Sequence, residues 1–191
     1  PPEAEDEPLQ PSPAPEVETA APQSPFQKAA DTDYADAQLR EKAWNALASV
    51  REQLGQTYLP LVDGERANAQ TRIESVNPSN PEQVIAQVGL LSEEQAERAV
   101  QAAKAALPQW RKTPAEERSR ILRNAADLME KRRYELAAWM ILETGKPMAQ
   151  CDPEVSEAIE FCRYYAAEME RLDRGYNYDV EGETDRYHYQ S

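Results

Sequence analysis

The sequence predicts a mainly α fold with a small antiparallel β-sheet. Two observations lead to this fold class. Apolar residues recur at helical spacing before residue 55 and again through residues 92–172. Between these segments, the dipeptides Asp63-Gly64, Asn77-Pro78 and Asn80-Pro81 separate short apolar runs rich in β-branched residues, which is typical of hairpins.

Residues 1–27 are predicted to be a disordered arm or linker. The first 25 residues contain eight prolines, six acidic residues and no basic residue. Such a composition buries too little apolar surface to offset the entropy of ordering the chain. The chain also begins with proline, and we expect it to be a piece of a longer polypeptide.

The charge of the chain argues against a nucleic-acid partner. The formal net charge is −14, whereas phosphate binding depends on clustered lysines and arginines. The pair Arg132-Arg133 is too short to change this and is interpreted as a solvated helix face. No apolar stretch approaches the roughly 20 residues of a membrane span, and no signal-peptide pattern opens the chain. We therefore expect a cytoplasmic protein without a transmembrane segment.

Residues 28–57 are predicted to form an N-terminal helical lead-in. Helical spacing extends over residues 33–54, and Gly55 follows, a residue type favoured just past a helix C-terminus. The apolar runs that come next supply the strands, the third of them over residues 84–88.

Capping patterns predict where the following helices begin. Ser92 and Gln95 form a capping box, and Thr113 and Glu116 form a second one with Pro114 at the first helical position.

The last two helices are also bounded by turn and cap residues. The first covers residues 134–143 and is stopped by Gly145 and Pro147. The second, which is the longest, is predicted to start at Asp152 and to run to about Leu172.

This longest helix has two unlike faces. A narrow core-facing stripe consists of Val155, Ile159, Cys162, Ala166 and Met169. The opposite side carries Glu157, Phe161, Tyr164 and Glu168. Aromatic residues are a poor choice for a face that is merely solvated, so we expect this second face to be covered.

Two explanations for the second face stay open. It packs against another domain or subunit with its glutamates solvated at the rim, or it lines a pocket. In the pocket, Phe161 contacts an aliphatic chain and Glu157, one turn away, offers a carboxylate to a cationic group.

Cys151 and Cys162 are predicted to be reduced thiols. Eleven helical residues separate them by about 16 Å, far beyond the reach of a disulfide.

Residues 176–191 are predicted to form strands around a turn at Glu181-Gly182. No partner strand for them is visible in the rest of the sequence. Strands with unpaired edges need a partner, so we expect one from elsewhere.

Several segments, in order, resemble one enzyme family. They are YLPLVDGE, SVNPSNPEQVIAQV, AERAVQAAKAALPQW, RSRILRNAADLMEKRRYELAAWMILETGKP and ETGKPMAQCDPEVSEAIEFCRYYAAEMERL. Together with the lead-in from DTDY, they resemble the aldehyde dehydrogenase superfamily, in the branch that oxidises L-glutamate γ-semialdehyde (the 1-pyrroline-5-carboxylate dehydrogenases). The resemblance covers about residues 28–190. The proline-rich arm is similar to a linker in the bifunctional proline utilization A enzymes.

The resemblance implies the N-terminal portion of an α/β aldehyde dehydrogenase-like fold, truncated before the dinucleotide-binding sheet. Residues 58–175 are then the β-hairpin and helical part of the N-terminal domain, and residues 176–191 start the oligomerisation strands. The complete enzyme is expected to use NAD, to take a small-molecule aldehyde and to form a homo-oligomer. Glu157 and Phe161 are the candidate substrate-binding residues.

The resemblance assigns no catalytic residue to this chain. The family's nucleophilic cysteine, carboxylate base, oxyanion-hole asparagine and dinucleotide turn all follow the point where the chain stops. Neither Cys151 nor Cys162 aligns with the nucleophile, and Gln150-Cys151 stands where the family commonly has an acidic residue followed by alanine. The alternative function is a non-catalytic helical protein-interaction module with an acidic disordered arm.

Overall fold

The computed structural model describes residues 28–180 and 182–189. The predicted disordered arm, residues 1–27, lies outside the described residues. The described part contains helices α1 Ala37–Arg51, α2 Glu93–Lys112, α3 Ala115–Lys131, α4 Arg133–Thr144 and α5 Met148–Asp173. Its strands are β1 Gln56–Tyr58, β2 Leu61–Val62, β3 Glu65–Arg66, β4 Thr71–Asn77, β5 Asn80–Leu90, β6 Tyr176–Val180 and β7 Glu183–Tyr187. The fold is mainly α with small sheets, as predicted.

The main sheet has the strand order β1-β5-β4. Strands β4 and β5 form the predicted antiparallel hairpin, whose turn follows Asn77. Strand β1 joins the other edge of β5 in parallel, which the expectation of an antiparallel sheet missed. The turn signals in the sequence indicate only antiparallel neighbours, because a short turn cannot connect parallel strands. Strand β1 is separated from β5 along the chain by β2, β3 and β4, so no turn signal links the two.

Strands β2 and β3 form a separate small ribbon around the predicted turn at Asp63-Gly64. Both turn residues have positive φ, 52° and 78°, as a type I′ hairpin turn requires. The sequence signal therefore predicted this turn correctly.

Helix α4 lies between two clusters of buried side chains. Its Ala137 belongs to a cluster formed with helix α5, whereas its Ala138 belongs to a cluster formed with α1 and β5. Adjacent alanines lie on different sides of a helix, and their small side chains let both neighbours approach closely. Helix α4 thereby joins the sheet to the long helix α5.

Two predicted helix starts were wrong. Thr113 does not cap α3; it ends α2, where its hydroxyl donates to the Gln109 carbonyl, and Pro114 precedes α3 without a side-chain cap. Helix α5 starts at Met148, not at Asp152. A Ser, Thr or Asp side chain caps a helix only when it is free to accept a hydrogen bond from the first turn. The buried Asp152 carboxylate instead accepts hydrogen bonds from Thr32. The capping box of Ser92 and Gln95 is confirmed, with both of its hydrogen bonds present.

The C-terminal strands β6 and β7 pair with each other in an antiparallel hairpin, from Tyr176 opposite Tyr187 to Val180 opposite Glu183. We expected both strands to need a partner strand from elsewhere. This expectation was incomplete, because β6 and β7 are hydrogen-bonded to each other along one edge. Their outer edges have no strand partner in the described part of the chain. The domain boundaries at residues 57 and 175 stay predictions.

No helix in the described ranges is both long and apolar enough to cross a membrane.

Candidate functional site

Helix α5 carries the candidate site on the face that points away from the core. Its core stripe is confirmed: Val155, Ile159 and Ala166 are buried, and Cys162 and Met169 are partly buried. The stripe packs mainly against α3 and α4, and this fixes which side of α5 is left uncovered.

The predicted substrate-binding residues Glu157 and Phe161 both lie on this uncovered side. Glu157 is exposed, and the Phe161 ring is 50% exposed. They are one helical turn apart, so their side chains are neighbours on the helix surface. No hydrogen bond or ion pair to the Glu157 carboxylate is found within the part of the chain that the structure describes.

Aromatic rings extend the face beyond Phe161. The Tyr165 ring stacks on Phe161 with a centroid separation of 6.0 Å and meets Tyr164 edge-on at 5.4 Å. Glu168, which the sequence placed on the same face, is engaged differently, because Arg171 donates to its carboxylate at 2.7 Å. Of the two glutamates, Glu157 is the one whose carboxylate has no such cation on its own helix.

This arrangement has a definite chemical capacity. An uncommitted carboxylate accepts hydrogen bonds from an ammonium group, and a half-exposed aromatic ring covers methylene groups next to it. The face can therefore bind a short aliphatic molecule that carries a positive charge at one end.

A buried polar cluster, which sequence reasoning missed, lies on the core side of the same helix. Thr32 donates from its backbone N–H to Asp152 Oδ2 at 2.7 Å and from its hydroxyl to Oδ1 at 2.8 Å. Arg133 Nη1 lies 3.5 Å from Asp152 Oδ2, 3.1 Å from Ser156 Oγ and 2.8 Å from the Ala30 carbonyl oxygen. We call these five residues the clasp, because they tie residues 29–34 to helices α4 and α5.

The clasp corrects the interpretation of two residues. Arg133 is 7% exposed and is not part of a solvated face, although its neighbour Arg132 is exposed and binds Glu135. Asp152 is fully buried rather than a helix cap. Sequence signals for both existed: Asp152 falls on the core stripe three residues before Val155, and Arg133 is one turn before buried Ala137. A charge on a core stripe indicates a buried partner.

Tyr34 also lies beside the clasp. Burial raises the pKa of its phenol to about 12, and the nearby Asp152 carboxylate adds to this increase. A tyrosine phenol is neutral at physiological pH even without this increase, so Tyr34 adds no second negative charge beside Asp152.

The two cysteines are free thiols, as predicted. Burial raises the pKa of the Cys151 thiol, with a further contribution from the Glu154 carboxylate. A catalytic cysteine needs a lowered pKa, so Cys151 has the wrong environment for a nucleophile.

Gly145 and Lys146 do not fit the phosphates of a dinucleotide. The Gly145 N–H donates to the Ile141 carbonyl and closes α4, while the Lys146 ammonium binds the Glu154 carboxylate at 2.5 Å. A phosphate cradle requires free backbone N–H groups, which this turn does not offer. The described residues also contain no group of three His, Cys, Asp or Glu side chains placed to hold a metal ion.

The sequence is similar to known 1-pyrroline-5-carboxylate dehydrogenases. It is 38% identical over 167 residues to 1-pyrroline-5-carboxylate dehydrogenase 2 of Bacillus subtilis strain 168, which covers 87% of this chain and 32% of the relative. A relative from Oceanobacillus iheyensis is 35% identical over the same share of each chain. The chain thus spans about a third of the length of the curated relatives it matches.

The structure is similar to solved enzymes of the same kind. Proline utilization A from Bdellovibrio bacteriovorus, inactivated by N-propargylglycine, matches with a TM-score of 0.83 and 34% identity over 89% of this chain and 18% of that one. A 1-pyrroline-5-carboxylate dehydrogenase from Thermus with bound NAD matches with a TM-score of 0.76 and 35% identity over 78% of this chain and 29% of that one.

A sequence model of the aldehyde dehydrogenase family matches residues 65–190, which include β3 to β7 and helix α5 with its uncovered face. Family, fold and sequence relatives agree over most of the described residues. This chain belongs to the aldehyde dehydrogenase family.

Proposed function

We propose that this chain is the N-terminal part of an NAD-dependent enzyme that oxidises L-glutamate γ-semialdehyde to L-glutamate, a reaction of proline catabolism. The dehydrogenases it resembles at 35–38% identity support this reaction. The reactive residues of such an enzyme lie outside this piece, and the piece contributes part of the substrate-binding surface. Its cytoplasmic location stays a prediction.

The observation that carries the proposal is the pairing of Glu157 with Phe161 on the uncovered face of α5. The semialdehyde carries an ammonium and a carboxylate on its α-carbon, with two methylene groups before the aldehyde. Glu157 accepts hydrogen bonds from the ammonium, and Phe161 covers the methylene groups. The two contacts thereby hold the molecule in one orientation, with its aldehyde end directed toward the reactive centre.

NAD is the proposed cofactor of the complete enzyme and supplies the acceptor for the hydride that the aldehyde loses. The similar Thermus enzyme with bound NAD supports this choice. The turn at Gly145 and Lys146 does not fit the phosphates of this cofactor, because its glycine N–H and its lysine ammonium are already bound within the chain.

We also propose that the enzyme is a homo-oligomer. The hairpin of β6 and β7 supports this, since β7 is exposed along its whole length and the outer edges of the hairpin are unpaired among the described residues.

Replacing Glu157 with Gln in the natural protein that contains this chain tests the substrate proposal. The change keeps the shape of the side chain and removes the charge that recognises the ammonium. A hydrogen bond to a charged group contributes about 1.5–3 kcal/mol, so we expect kcat/KM for the semialdehyde to fall roughly tenfold or more. The value for an aliphatic aldehyde without an ammonium group should stay within about twofold.

Glu168→Gln is the matched control for this experiment. Glu168 lies on the same helix but binds Arg171, so its replacement should leave the preference between the two aldehydes unchanged. Equal losses on both aldehydes in Glu157→Gln would contradict the proposed role of Glu157. Absence of any aldehyde oxidation by the wild-type protein would favour the non-catalytic interaction module.

A further inference from the structure

Helix α5 contains a weak point between the clasp and the candidate substrate face. Pro153 lies inside the helix, five residues after its first residue, Met148. Proline has no N–H, so the carbonyl of Ala149 lacks its usual partner four residues later. A helix tends to bend where this bond is missing. The orientation of everything after Pro153 is therefore not fixed by the helix backbone alone.

The clasp connects the two sides of this weak point. Arg133 Nη1 contacts Asp152, directly before Pro153, and Ser156, three residues after it. Asp152 is in turn held by both donors of Thr32. Because Arg133 belongs to α4, the contacts fix this part of α5 against a different helix.

The candidate substrate residues follow immediately. Glu157 is the next residue after Ser156, and Phe161 is one turn further. Glu157 and Phe161 share one face of the helix. A rotation of α5 beyond Pro153 would therefore turn both side chains together, away from the direction that they now face.

We propose that the clasp positions the substrate face: together with the packing of the core stripe against α3 and α4, the contacts of Asp152, Arg133 and Thr32 hold the turn of α5 around Pro153 in the orientation that Glu157 and Phe161 need. These three are positioning residues, because they lie on the buried side and do not reach the exposed face. The inference about orientation stands on the contacts themselves, whereas its effect on substrate binding rests on the proposed function. The competing possibility is that the clasp only fastens residues 29–34 to the body.

Thr32→Val in the natural protein removes the hydroxyl bond to Asp152 and keeps the size of the side chain. We expect amide hydrogen exchange of residues 154–161 to quicken roughly tenfold, as the loss of a partly buried hydrogen bond to a charged group implies. We expect KM for the semialdehyde to rise while kcat stays within about twofold. Thr32→Ser, which keeps the hydroxyl, should restore both values.

Thr113→Val is the matched control. Thr113 also donates through its hydroxyl, but to a carbonyl of α2. Its replacement should leave exchange in residues 154–161 unchanged. Asp152→Asn is a second test, because it removes the charge that Arg133 and Thr32 share, and it should quicken the same exchange further.

The outcomes separate the two ideas. Faster exchange in residues 154–161 together with a higher KM supports the positioning role. Faster exchange in residues 154–161 with an unchanged KM supports the inference that the clasp orients this part of α5. It contradicts the role of Glu157 in the proposed function. Faster exchange confined to residues 29–36 in Thr32→Val would overturn the inference, since the clasp would then only fasten that segment.

Discussion

Single residues of helix α5 differ strongly in how accessible they are to solvent. Cys151 is fully buried and Cys162 is only partly buried, although both lie on one helix. Asp152, next to Cys151, is buried too, and its carboxylate is satisfied by Thr32 and Arg133. Because a buried charge is stable only with partners, the removal of any one of these three residues leaves a buried polar group with fewer partners.

The two thiols are expected to react at different rates. Only the thiolate is alkylated, and burial with the nearby Glu154 raises the pKa of Cys151, so at pH 8 little of it is ionised. We expect iodoacetamide to modify Cys162 at least about tenfold faster than Cys151, measured by mass spectrometry over time. The labelling of Cys151 should rise as the pH increases toward its raised pKa.

The variant Cys162→Ser leaves Cys151 as the one cysteine of the given sequence, and mass spectrometry of the peptide that contains Cys151 isolates its rate. Equal modification of both thiols in the native protein would mean that the interior of α5 opens readily, contrary to its burial.

Helices and strands show which local signals decide where an element ends. Gly145 ends α4 with a left-handed backbone at φ 71°, as its sequence position predicts. The prediction that Gly55 directly follows the first helix was wrong, because α1 ends at Arg51, four residues earlier. Where a capping side chain is used elsewhere, the local signal fails. Thr113 bonds back into α2 and Asp152 bonds to Thr32, so neither begins a helix.

Gly145→Ala is expected to lower the free energy of unfolding by about 1–2 kcal/mol, the cost of a left-handed conformation for an L-residue. The added methyl group would also meet Pro78 Cγ at 3.1 Å, which presses α4 against the turn between β4 and β5. Urea denaturation measures the change.

Gly55→Ala is the matched control, because its φ is similar and no atom lies within 4 Å of the added methyl group. Gly55→Ala should introduce the backbone strain alone, so it should lower the free energy of unfolding by less than Gly145→Ala does. A larger loss for Gly55→Ala would contradict the close contact between Gly145 and the turn.

Among the described residues, buried apolar clusters lie on both sides of α4, and exposed apolar side chains lie on other elements. Helix α2 has no buried residue, although Val100, Leu107 and Trp110 give it a large exposed apolar surface. Exposed apolar residues on this scale are typical of surfaces that pack against other parts of a protein. This agrees with a chain that spans about a third of its relatives.

The proposed homo-oligomer predicts an effect of the β6–β7 hairpin on assembly. Tyr187 on β7 is 55% exposed. In the natural protein, Tyr187→Glu should shift sedimentation toward smaller species, because a buried charge at a subunit contact is costly. Trp44→Glu, at an exposed aromatic position on α1, should not change the assembly. A wild-type monomer at micromolar concentration would contradict the proposed oligomer.

The sequence by itself determined the helices, the hairpin turns at residues 63–64 and 77–78, the two faces of α5 and the family. These features follow from residue spacing and turn chemistry, which act between neighbours along the chain. Only the tertiary structure decided that β1 pairs in parallel with β5, that α5 starts at Met148 and that Asp152 and Arg133 meet Thr32 in the interior. Thr32 and Asp152 are 120 residues apart, and a contact over that separation depends on how the helices pack rather than on any local pattern.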